Sequence, residues 1–171
     1  MMLNERLDFS VPITESMTKN NQDFLIKGTA INVGTTRNET IFVEEELMTS
    51  AHSLKDKPLL KDHNNSVDSI VGKVTNAFFN QNKIDFEAKV IDEMTREKIK
   101  QGLISSVSVG AMVNEVEKVF DTEDEEKFLG FKVKGIDFVE LSLVAVPADP
   151  NAGFAQAISE KLKSSENISI S

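Results

Sequence analysis

Cysteine, tryptophan and tyrosine are missing from this 171-residue chain, and histidine occurs only twice. Without cysteine there is no disulfide framework and no thiol nucleophile, and two histidines alone offer no zinc-ligand spacing. No resident metal or cofactor is expected. Basic residues are scarce too: 19 Lys and Arg against 28 Asp and Glu leave a formal net charge of -9. Nucleic-acid binding draws its affinity from Lys and Arg clusters that displace counterions from phosphate. No such patch occurs, so no nucleic-acid partner is expected. Long apolar runs are also lacking, since the longest, Phe138 to Ala148, is broken by Glu140 and Ser142. That falls short of the roughly 20 residues a membrane-spanning helix needs, and no membrane partner is expected. The start, Met1 to Phe9, has no basic cluster followed by an apolar run, and reads as intracellular rather than secreted.

What is present fits one soluble globular domain, with 40% hydrophobic and 27% charged residues and 11 Phe supplying all the aromatics. A domain of about 150 residues buries roughly 70% of its unfolded surface, enough for a core. The chain divides into a flexible N-terminal segment, 1–21, a folded domain, 22–163, and a mobile C-terminal tail, 164–171. Strands are read at Phe24 to Val33, Ile41 to Val43, Ile70 to Phe79 and Lys83 to Ile91, the last two joined by the polar turn Asn80-Gln81-Asn82. A short helix is read over Glu44 to Ser53, with acids in its first turn. A second is capped by Asp92 and ended by Gly102 in the left-handed conformation. Leu103 to Val116 and Phe128 to Val146 read as further strands around an exposed acidic loop, Asp121 to Lys127. A short helix from Asp149 through Lys161 follows Pro147. The expectation is a mainly antiparallel sheet closed into a barrel or sandwich, with helices packed outside.

Three islands carry chemistry: Leu60-Lys61-Asp62-His63-Asn64, Ser106-Val107-Ser108-Val109-Gly110, and Glu140 to Ala148. A serine hydroxyl needs a base within about 2.6–3.2 Å to become a nucleophile, and only His52 and His63 are available. His52 at a helix end reads as a solvated surface residue. His63 lies in a turn-rich stretch of the kind that presents functional side chains, or is simply a loop residue. Alternation puts Ile104, Ser106, Ser108, Gly110 and Met112 on one face of their strand. Gly110 beside Ser108 leaves room for a substrate or exposes an amide to an oxyanion, though serine near glycine in a strand is common. Glu140 is the one charge in an apolar run. It either faces water at a sheet edge or pairs, and a histidine N–H is one partner that would also fix the ring tautomer.

The ordered set resembles the prohead proteases of tailed viruses, whose pattern is apolar-x-Asp-His, then Ser-hydrophobic-Gly, then Glu-hydrophobic-Ser-Leu-Val-x-x-Pro-Ala. Leu60 to His63, Ser108 to Gly110 and Glu140 to Ala148 match it, and the likeness runs from about Phe24 to Phe154. The resemblance implies a closed antiparallel β-barrel wrapped by helices, as in the herpesvirus assemblins. It implies Ser108 as nucleophile, His63 as general base and Glu140 as third member, where assemblins carry a second histidine, with Asp137 as the fallback. No Arg follows the third island, so backbone amides near Ser108 and Gly110 are expected to hold the oxyanion. The implied activity is a serine endopeptidase that cleaves scaffold and capsid-protein segments, itself included, within an assembling procapsid in the host cytoplasm. Its implied partners are the major capsid protein and a scaffolding protein, encoded separately because no long helical segment follows Lys163, and a second copy of the chain. The rival expectation is a non-catalytic β-barrel that serves capsid assembly or scaffold interaction.

Overall fold

A computed structural model describes residues 2–20, 22–35 and 39–146. The described residues are mainly β, with ten strands: β1 (Met2–Pro12), β2 (Glu15–Lys19), β3 (Asp23–Asn32), β4 (Gly34–Thr35), β5 (Thr40–Phe42), β6 (Pro58–Lys61), β7 (Ile70–Asn80), β8 (Lys83–Val90), β9 (Ser106–Phe120) and β10 (Phe128–Leu143). Two helices, α1 (Glu44–Ser50) and α2 (Glu93–Lys100), interrupt them. Paired strands follow the order β1-β9-β10-β6-β7-β8-β3-β2, with β5 beside β10 and β4 beside β5. The expected antiparallel pairing is corrected in one respect, and the strand pairing by itself does not close the path. The ladder is an open path ending on β1 and β2 among the described residues, and β5 and β6 run parallel to β10.

The parallel pairs have a physical cause. Between β5 and β6 the chain passes through α1 and a 3₁₀ turn, Ala51–Leu54, and this crossover returns it to the same edge of β10 in the same direction. Leu47, Ala51 and Leu54 bury the apolar side of the crossover. The stretch of β10 edge it spans is not left bare: Gly135 N donates to Glu46 Oε2 at 3.1 Å, and Phe138 N to Ser53 Oγ at 3.0 Å. Side chains thereby supply acceptors that no strand provides there.

Residues 2–12, expected to be loosely held, are instead a strand paired with β9 from Met2↔Glu115 to Pro12↔Ser106. Leu7, Phe9 and Val11 enter the core, while Arg6, Asp8 and Ser10 alternate with them onto the other face. The hairpin β7–β8 forms as read, with Gln81 and Asn82 both at positive φ (47° and 67°), as a two-residue turn of matching twist demands. On β8, Ile84, Phe86, Ala88 and Val90 alternate into the core. The second helix also forms as read: the Asp92 carboxylate accepts from Thr95 N at 3.1 Å, and Gly102 takes φ 75°. The expected helix 149–161 and tail 164–171 lie outside the described residues.

Candidate active site

β9 and β10 pair in a register that sets Ser108 opposite Ser142 and Gly110 opposite Glu140. On the other side of β9, β1 sets Ser10 opposite Ser108 and Asp8 opposite Gly110. Directly opposed residues share a face, so two rows cross the three strands: Ser10–Ser108–Ser142 and Asp8–Gly110–Glu140. Val107, Val109, Ala111, Leu141 and Leu143 point the other way and are buried in the core. Alternation thus leaves a polar row lying against a hydrophobic core.

His63 arrives from β6. That strand runs beside the end of β10, with Leu60 opposite Ser142, and Asp62 N continues the contact by donating to Leu143 O at 2.9 Å. Asp62 and His63 then both take the left-handed conformation, φ 52° and 56°, which turns the chain back across β10. His63 N donates to Ser142 Oγ at 3.2 Å, and Ser142 Oγ donates to Glu140 Oε1 at 3.0 Å. The imidazole spans the two rows: Nδ1 meets Glu140 Oε1, and Nε2 lies 2.9 Å from Ser108 Oγ.

Glu140 and Ser108 are only 4% and 5% exposed, so the carboxylate depends on its partners. Burial opposes its charge, but hydrogen bonds from His63 and Ser142 and the nearby Arg6 cation outweigh it and hold the carboxyl below its ordinary pKa. An ionised Glu140 accepts the ring proton on Nδ1 and leaves Nε2 as the acceptor for the Ser108 hydroxyl. Such an alignment can take a proton from the hydroxyl and stabilise the resulting imidazolium.

Residues 10–167 match the family model described as caudovirus prohead serine protease. The chain belongs to the caudovirus prohead serine protease family. Its fold is also that of the capsid assembly protease gp21 of bacteriophage T4, at 14% identity and a TM-score of 0.54, covering 84% of this chain and 100% of that one. No curated protein matches the chain. A member of this family is a serine protease.

Of the other candidates, His52 is exposed, in line with its reading as a surface residue. Asp137, the alternative third member, is exposed and paired with Met112, four residues along β9 from Ser108 or about 13 Å at strand rise. The Ser108 and Gly110 amides lie in a strand with partners on both sides, so neither faces open space as the oxyanion expectation required.

Gly110 does leave room, but protein fills it. Arg6 reaches over it to place Nη2 2.9 Å from Glu140 Oε1 and 3.2 Å from Asp8 Oδ1. Asp8, His63 and Glu140 have the donor set of a cation site, each with a ligand atom within 4.8 Å of the others. The Arg6 guanidinium bridges the two carboxylates of this set. Sequence reading missed Arg6 and Asp8. The available signal was the alternation Leu7-x-Phe9-x-Val11, which marks a half-buried strand whose other face carries them.

Proposed function

We propose that this protein is a serine endopeptidase of capsid maturation in which Ser108 is the nucleophile, His63 the general base and Glu140 the group that orients the ring. What carries this reading is the 2.9 Å approach of His63 Nε2 to Ser108 Oγ with Nδ1 held on a buried carboxylate. As Ser108 Oγ attacks the scissile carbonyl, its proton passes to Nε2, and Glu140 stabilises the imidazolium. Nε2 then protonates the departing amine as the C–N bond breaks, leaving an ester on Ser108. Water, deprotonated by the same nitrogen, hydrolyses the ester and restores the hydroxyl.

A cavity of about 300 Å³ lies at the ends of β6, β9 and β10, lined by Asp62, Ile104 and Leu143 among others. It gives a substrate side chain room one residue from His63. The substrates in this reading are scaffold and capsid-protein segments, and the enzyme itself, cut inside the assembling procapsid. We also infer an assemblin-like barrel, in which the two ends of the strand path meet. Supporting this, the end of β1 lies against β3, where a Cβ on Gly28 would stand 2.9 Å from Pro12 O.

Co-expression with the major capsid protein is expected to yield a shortened capsid protein, and Ser108→Ala to leave it full length. Continued cutting by the alanine variant would show that Ser108 is not the nucleophile.

A further inference from the structure

Glu140 Oε1 is approached by three groups: His63 Nδ1, Ser142 Oγ and Arg6 Nη2. The first two belong to the proton path or brace it directly. Arg6 comes from elsewhere, on a strand at one end of the sheet path, and reaches Glu140 only because position 110 has no side chain. A Cβ there would stand 2.9 Å from Arg6 Nη2, 3.2 Å from Asp8 Oδ1 and 3.2 Å from Glu140 Cγ. Asp8 steadies the guanidinium from its own strand, with Nε and Nη2 each donating to Oδ1 at 3.2 Å. The arginine is 40% exposed, whereas the carboxylate it meets is 5% exposed, so a half-solvated cation neutralises a buried anion.

We propose that Arg6 is a positioning residue of the proteolytic site, its guanidinium crossing Gly110 to hold Glu140 in the orientation that receives the His63 ring. The proposal rests on the reading of Ser108, His63 and Glu140 as the proteolytic groups. A carboxylate with one guanidinium nitrogen against it, itself held in place by Asp8, and one hydroxyl beside it has few orientations left, which keeps Nε2 aimed at Ser108. The charge matters as well as the geometry. Arg6 is among the groups that hold the Glu140 carboxyl below its ordinary pKa, so its loss favours the protonated, unproductive form of the site and confines labelling to higher pH.

The test uses the purified full chain with a fluorophosphonate that labels activated serines, its rate followed across pH in wild type, Arg6→Gln and Arg6→Lys. Arg6→Gln is expected to slow labelling of Ser108 roughly 10- to 100-fold at neutral pH and to move the acid limb to higher pH. Arg6→Lys restores the position of that limb, because the charge returns, but only part of the rate, because a point charge lacks the planar fork. A purely structural role would lower the melting temperature without displacing the limb. Wild-type labelling that Arg6→Gln leaves unchanged in rate and pH profile, or slows with no movement of the limb, overturns the proposal. Wild-type protein that takes no label at Ser108 overturns the proteolytic reading itself, and this proposal with it.

Discussion

Asp62 and His63 sit in the left-handed region, where each non-glycine residue is disfavoured by roughly 1–2 kcal/mol. Asp, Asn and His tolerate it best, so the local sequence suits a turn that aims the imidazole back at β9 and β10. Gly110 is the complementary device, an absence of side chain that lets Arg6 through. Gly110→Ala is therefore expected to slow labelling of Ser108 about tenfold by pushing the guanidinium off Glu140. The melting temperature should fall modestly, since the nearest atom is the free end of the half-exposed Arg6 side chain, whereas the buried Glu140 Cγ at 3.2 Å must also give way. In an Arg6→Ala background the same substitution has less to displace, so the two effects should fall short of adding. Full additivity would place the damage elsewhere. His63, Ser108 and Glu140 were legible in the sequence because their residue types are rare or out of place: one of two histidines, a serine beside a glycine, a charge in an apolar run. Arg6, Asp8 and the bracing role of Ser142 were not, because they act through a register between strands about a hundred residues apart.

Elements defined by local signals were readable, and those defined by distant partners were not. The β7–β8 hairpin carries its own turn chemistry and alternation, and α2 carries its own cap and stop, so both form as read. β1 carries only the short alternation Leu7-x-Phe9-x-Val11, with no turn or cap of its own. Its charged residues mask a run of core positions, and it becomes a strand because β9 offers it a partner along most of its length. Phe9, 2% exposed, is a direct probe of this. Phe9→Ala removes a ring from the core and is expected to destabilise the fold by about 3–5 kcal/mol. In calorimetry that corresponds to a fall in melting temperature of roughly 6–20 °C for a chain of this size. A fall of less than about 2 °C would return the first residues to the status of a loose segment. The parallel placement of β5 and β6 was equally hidden, since nothing within α1 says which edge of which strand the crossover returns to.

For the molecule as a whole, the site draws on β1, the turn after β6, β9 and β10, and so exists only when these distant parts of the chain are assembled together. Its buried charge is therefore linked to global stability rather than to local order alone. Glu140 has a folded-state pKa depressed below that of the unfolded chain, where a glutamate titrates near about 4.3. A group of this kind contributes stability that is fully present above the unfolded value and is lost as pH falls through the folded one. Burial pulls the other way, and hydrogen bonds from His63 and Ser142 together with the Arg6 charge must exceed it for this sign to hold. Urea unfolding of wild type and Glu140→Gln, compared over a pH series, measures the balance. Wild type is expected to hold a constant advantage from pH 7 down to about 5.5, and to lose it progressively below about 4.3. An advantage that instead grows on acidification would mean that desolvation wins and that folding raises the Glu140 pKa, so His63, Ser142 and Arg6 would not hold the carboxylate charged against its burial.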